Sequence, residues 1–160
     1  MTAARYVETP DDLPTRETLL SMSGMAFMQA MLHGTVARPR ISLLLGYHLD
    51  SVEPGRVTFR GIPGFDHVNP VGATHGGWYG TLLDSAMGCA VMTAVPIGKW
   101  YTTLEYKVNV IRGVPTGTEV LATGILDHAG RSTAVAHGEI RAVADGRLYA
   151  TGSTTCIILD

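Results

Sequence analysis

The chain has 160 residues, enough for one domain with a sizeable core. Its formal net charge of -2 removes the electrostatic argument for a nucleic-acid or anionic-membrane partner. Only 16% of residues are charged against 46% apolar, which predicts a partly covered surface and hence an oligomer.

Residues 1–14 are polar and carry Pro10 and Pro14, the mark of an arm. Arg5, Glu8, Asp11 and Asp12 leave no room for an apolar leader segment, so no signal peptide is read. Thr15 and Glu17 can start a helix at Arg16 that runs to about His33 and stops at Gly34. Its apolar positions include Leu20, Met25, Phe27, Met28, Met31 and Leu32. They read either as an amphipathic helix on the core or as a Met-rich, adaptable cover over an apolar ligand pocket. The expected organisation is thus an N-terminal arm and helix over 1–39, followed by the main domain over 40–160.

Past Pro39 the chain reads as two strands, Ile41 to Asp50 and Arg56 to Ile62, joined at the turn pair Pro54-Gly55. The apolar run from Gly76 to Gly98 is long enough to raise a transmembrane reading. Its five glycines, Pro96 and Asp84 favour a buried helix of a soluble domain, ending near Ala94. Four β-type runs follow: Trp100–Arg112, Glu119–Asp127, Ser132–Ala142 and Leu148–Leu159. Short connections, among them the hairpin signal Asp145-Gly146, predict a meander of antiparallel neighbours. The fold class is α+β, with one long antiparallel sheet wrapped around a central helix so that both apolar surfaces bury each other. Cys89 and Cys156 sit in apolar runs and read as free thiols of a reducing compartment, hence a cytoplasmic location, with one disulfide as the alternative.

Asp84 is the only charged residue between Asp66 and Lys99, counting His as neutral. A carboxylate there is costly to bury without a partner or a purpose. Gly76-Gly77 opens the helix, where unpaired N–H groups and the helix dipole can cradle an oxyanion or merely permit a tight turn. Asp84 lies eight residues on, roughly 12 Å along the axis. If both serve one reaction, Asp84 must face the helix N-terminus of a second copy, which predicts a homodimer with two composite sites. Asn69 and His75 flank the loop; each either shapes the turn or holds a water or carbonyl. Strand alternation from Thr102 through Val110 places Thr102 on the apolar, helix-facing side, within reach of Asp84. Gly130-Arg131-Ser132 offers a cation and small donors suited to a phosphate or pantetheine tail, or is a solvated hairpin. The six histidines show no metal-ligand spacing, and no cofactor motif is present.

The pattern Asn69-Pro70-x-Gly72-x-x-His75-Gly76-Gly77, with Asp84 nine residues after His75, resembles the hotdog-fold acyl-CoA thioesterases of the phenylacetic-acid-degradation (PaaI-like) type. Thr103-Leu104-Glu105-Tyr106-Lys107-Val108-Asn109-x-x-Arg112 and Gly130-Arg131-Ser132-Thr133 agree with it. The resemblance implies a hotdog fold assembled as dimers, often as dimers of dimers, that hydrolyses acyl-CoA. It makes Asp84 the catalytic carboxylate and Gly76 the N–H that polarises the thioester carbonyl. Asn69, His75 and Thr102 then place water or substrate, with Gly77, Gly130, Arg131 and Ser132 binding substrate. Asp84 acts as general base, or directly as nucleophile through an anhydride. Trp78-Tyr79 is bulkier than the family's small aliphatics and is expected to reshape the acyl pocket. The competing readings are a hotdog hydratase or dehydratase, and a non-catalytic binder of acyl-CoA or a lipophilic ligand.

Overall fold

The computed structural model describes residues 5–160. Four helices, α1 (Arg16–Leu20), α2 (Gly24–Leu32), α3 (Arg40–Leu44) and α4 (Gly76–Met92), accompany six strands. These are β1 (Tyr47–Glu53), β2 (Arg56–Gly61), β3 (Trp100–Val110), β4 (Val120–Ala129), β5 (Thr133–Ala142) and β6 (Leu148–Leu159). All strand pairings are antiparallel, in one sheet of order β1-β2-β4-β5-β6-β3. The architecture is the expected hotdog, a single sheet around the long helix α4.

The apolar positions of α4 are satisfied by burial: Leu82, Leu83, Ala86, Met87, Ala90 and Val91 are all fully buried. Close approach to the sheet is made by a row of glycines. Gly124 pairs with Gly138, and Gly138 with Gly152, so the three cross β4, β5 and β6 side by side. A Cβ on Gly124 would overlap the Ala86 backbone, and one on Gly138 would crowd the Met87 side chain. The helix therefore rests in a trough that larger residues would fill. The helix ends at Thr93, whose hydroxyl donates to Ala90 O and accepts from Gly55 N, 2.8 Å away, tying it to the β1–β2 turn.

Several local expectations give way to tertiary contacts. The helix expected from Arg16 to His33 is two helices. Ser23 caps α2 by accepting from Ala26 N, and Gly24 donates to Val95 O at 2.9 Å. Gly24 lies so close to the Met92 carbonyl that a Cβ would overlap it. Docking on the end of α4 thus breaks the continuous helix. The strand expected from Ile41 begins only at Tyr47; Arg40–Leu44 forms α3, closed by Gly46 at φ +66°. The meander holds for β4, β5 and β6, but β3 crosses to the far side and pairs with β6. The Asp145-Gly146 connection is longer than a two-residue hairpin, since β5 ends at Ala142 and β6 starts at Leu148. The N-terminal segment is pinned: Val7 donates to Arg38 O at 2.9 Å, and Phe27 and Met28 belong to the same core as α4. The first four residues of the expected arm lie outside the described residues.

Candidate active site

The loop entering α4 is built by its own polar groups. Asn69 Oδ1 accepts from Val71 N and Ala73 N, both at 3.1 Å, and Asn69 N donates to Ala73 O at 2.8 Å. The carbonyl of Asn69 is thus spent on loop shape, and only its amide nitrogen is left to meet a ligand. His75 N-caps the helix: its Nδ1 accepts from Gly77 N at 2.9 Å. That fixes the imidazole tautomer with the proton on Nε2. It also occupies the Gly77 N–H, so Gly77 does not present its amide to a substrate. Among the described residues no acceptor meets the Gly76 N–H, which stands at the exposed, positive end of the 17-residue helix.

The loop and helix start are braced from below. Thr74 Oγ1 donates to Val114 O at 2.6 Å, and Val114 N donates to Tyr79 Oη at 2.7 Å. Trp78 Nε1 donates to Leu45 O at 2.9 Å. Trp78 and Tyr79 are both buried in the main core, stacked edge to face. Their polar ends hold neighbouring loops, and their rings fill core space.

Asp84 lies midway along α4, half-buried. Burial pushes its carboxyl above the usual aspartate range, while a hydrogen bond from Thr103 pulls the other way. That bond, Thr103 Oγ1 to Asp84 Oδ1, is 3.0 Å long. The sequence expectation named Thr102 for this place, and the structure corrects it. In β3 the register against β6 slips between Thr103, opposite Cys156, and Glu105, opposite Thr155. Leu104 is the extra residue of a β-bulge, and a bulge exchanges the faces of the strand on its two sides. Tyr106 and Val108 therefore face α4 as the alternation predicts. Before the bulge it is Tyr101 and Thr103 that do so, while Thr102 is exposed. The buried Thr154 hydroxyl donates to the Glu105 carbonyl at 2.7 Å and steadies the bulge. Nothing in the alternation of β3 read alone signals this; the pairing with β6 decides it.

Around Asp84 the other titratable groups stay neutral. Burial, reinforced by the Asp84 charge, pushes the Cys89 thiol up to about 12, which removes it as a thiolate nucleophile. Burial likewise lifts the Tyr47 hydroxyl to about 12, against its 2.9 Å bond with Ser85 Oγ. Asp84 is the one group here suited to take a proton from water at neutral pH. Cys89 and Cys156 are both free thiols.

The remaining candidates are not brought to this point. Gly130 and Arg131 line a separate cavity of about 340 Å³ with Lys99, Pro96 and Ala94, beyond the C-terminal end of α4. Ser132 O accepts from Ile158 N at 2.9 Å and joins that hairpin to β6. Gly76 and Asp84 of one chain sit on one helix, roughly 12 Å apart along its axis. Among the described residues no cluster of His, Cys, Asp and Glu has the geometry of a metal site. No helix among them is long and apolar enough to cross a membrane.

The fold and this site define a hotdog-type thioesterase scaffold with a carboxylate midway along the central helix. Residues 71–149 match the thioesterase superfamily. The conserved protein PA5202 of Pseudomonas aeruginosa is 34% identical, with TM-score 0.69, over 74% of this chain and 93% of that one. A thioesterase family protein from Silicibacter pomeroyi is 27% identical, with TM-score 0.74, over 82% of this chain and 98% of that one. A single-residue variant of the phenylacetic acid degradation protein PaaI from Thermus thermophilus is 26% identical, with TM-score 0.66, over 73% and 96%. No match was found among functionally curated proteins. The chain belongs to the thioesterase superfamily, in its PaaI-like, hotdog-fold branch.

Proposed function

We propose that the protein hydrolyses acyl-CoA thioesters to free acid and CoA, with Asp84 as general base. The observation that carries this reading is the Asp84–Thr103 pair: a half-buried carboxylate with a raised proton affinity, oriented by a 3.0 Å hydrogen bond. Asp84 removes a proton from a water positioned with Thr103, the water attacks the thioester carbonyl, and CoA thiolate departs. Thr103 takes the role expected of Thr102. The oxyanion is received by a Gly76 N–H at a helix N-terminus, a donor already oriented before reaction.

Because Asp84 and Gly76 of one chain are too far apart to share a carbonyl, the site is composite, with Gly76 from a second copy. Support for a homodimer comes from β3, an 11-residue edge strand of the sheet. It carries exposed Leu104, Tyr106 and Val110. A long apolar edge of this kind is a template for pairing with another chain. His75 and Asn69 hold the loop that presents Gly76, and the Asn69 amide can donate to substrate. Dimers of dimers are the expected higher assembly.

The CoA moiety would extend along α4 toward Arg131 and Lys99. From Asp84 to Ala94, at the wall of their cavity, the axial distance is roughly 15 Å, a span suited to an extended pantetheine arm. Arg131 and the Gly130 and Ser132 segment would then meet the phosphates. The test is thiol release from a panel of acyl-CoA esters by the purified protein and by Asp84→Ala. Release by the first and its loss by orders of magnitude in the second is the expected result. No release from any ester, or equal release by both, overturns the assignment.

A further inference from the structure

This reading leaves unused an apolar cavity of about 410 Å³ between the N-terminal segment and the central helix. Most of its wall comes from residues before Arg40, including Leu13, Phe27, Met28 and Ala37; Cys89 and Met92 of α4 and Trp100 and Tyr101 of β3 complete it. Among the described residues it is lined by no charged side chain. Its volume is that of a small-molecule site. Two unbranched methionines, Met28 and Met31, give part of its wall the adaptability that suits chains of variable shape. The wall is largely outside the segment 71–149 that matches the superfamily.

The cavity adjoins the catalytic carboxylate through one contact. Tyr101 lies two residues before Thr103 on the helix-facing side of β3, roughly 7 Å along the strand. Its ring rests on Gly88, where a Cβ would come within 2.8 Å of the tyrosine oxygen. Gly88 is one helical turn, about 6 Å, beyond Asp84 on the same face of α4. Asp84 and Thr103 thus form one side of the Tyr101–Gly88 contact, and the cavity forms the other.

We propose that this cavity receives the acyl chain of the thioester substrate, with the reacting carbonyl at Asp84, the chain passing Tyr101, and the N-terminal segment setting the length and width accepted. The proposal rests on the hydrolase reading, and it selects medium-length aliphatic or aryl acyl groups over acetyl. Burial of each further methylene against such a wall tightens binding of the chain by roughly fourfold.

The test compares octanoyl-CoA with acetyl-CoA in the wild type and in two variants that take up cavity space from different sides, Ala37→Leu and Leu13→Phe. Leu13 is half exposed at the rim, so its variant is the safer of the two for folding. The expected result is a wild-type kcat/KM that favours octanoyl-CoA, and a ratio of octanoyl to acetyl kcat/KM that falls at least about tenfold in a folded variant. An unchanged ratio in both variants, or in Leu13→Phe alone if Ala37→Leu does not fold, overturns the proposal. A second readout is independent of turnover. Trp100 lines the cavity, so ω-bromo-octanoate should quench its fluorescence saturably, and Trp100→Phe should abolish the ligand-dependent signal. If the protein releases no CoA from any ester but Trp100 is quenched in this way, the cavity stands and the hydrolase reading falls. Absence of saturable quenching, with hydrolysis intact, overturns the cavity.

Discussion

Thr103 donates to Asp84 at 3.0 Å across the junction of β3 and α4, and the Leu104 bulge is what aims it there. Removing the hydroxyl has a defined effect. The Thr103 bond opposes the upward push of burial on the Asp84 carboxyl. Thr103→Val should therefore raise the acid limb of the kcat/KM profile and lower the plateau by about tenfold to a hundredfold. Thr102→Val, on the exposed side of the strand, should shift neither. Profiles of the two variants that moved together would show that the bulge does not select between them.

A raised carboxyl also has a stability consequence. Asp84 binds its proton more tightly in the folded chain than in the unfolded one, because burial disfavours the charge. Its contribution is therefore most favourable below the unfolded value and is lost as pH rises through the folded one. Asp84→Asn should raise the melting temperature at neutral pH while abolishing hydrolysis, and the difference should shrink toward pH of about 3. A variant less stable than the wild type at neutral pH would show that Asp84 is a structural carboxylate instead.

The composite site makes a complementation prediction. Proline lacks an N–H and is well tolerated in the first helical turn, so Gly76→Pro removes the donor without breaking α4. It should cost about a hundredfold to a thousandfold in kcat. Mixing Gly76→Pro with Asp84→Ala under conditions of subunit exchange should restore activity, to roughly a quarter of wild type at equal amounts, since half the dimers are mixed and each holds one intact site. Mixtures that stay inactive despite exchange would place both groups in the same subunit's site.

The glycine trough predicts steep local costs. Gly124→Ala places a methyl group into the Ala86 backbone and should destabilise the fold by at least about 2 kcal/mol in denaturant titrations. Gly64→Ala meets nothing within 4 Å and should change stability by no more than about 0.5 kcal/mol. Equal effects at the two positions would mean that helix and sheet separate readily at this point.

Local chemistry alone determined much of this protein. His75-Gly76-Gly77 before a largely apolar run marks the start of α4 because a cap and an apolar pattern are properties of neighbouring residues. The isolated charge of Asp84 marks it for the same reason, and the β4 to β6 meander follows from short connections. Tertiary structure decided what depends on residues distant in the chain. β3 lies beside β6 because the sheet closes around α4. The α1–α2 break follows from Gly24 docking on Met92 and Val95. Trp78 and Tyr79 are core braces because Leu45 and Val114 meet their polar ends. Thr103 replaces Thr102 because one extra residue, accommodated only in the pairing with β6, turns the strand over before it reaches Asp84. Alternation along a strand specifies two faces, and only the partner strand specifies where they exchange.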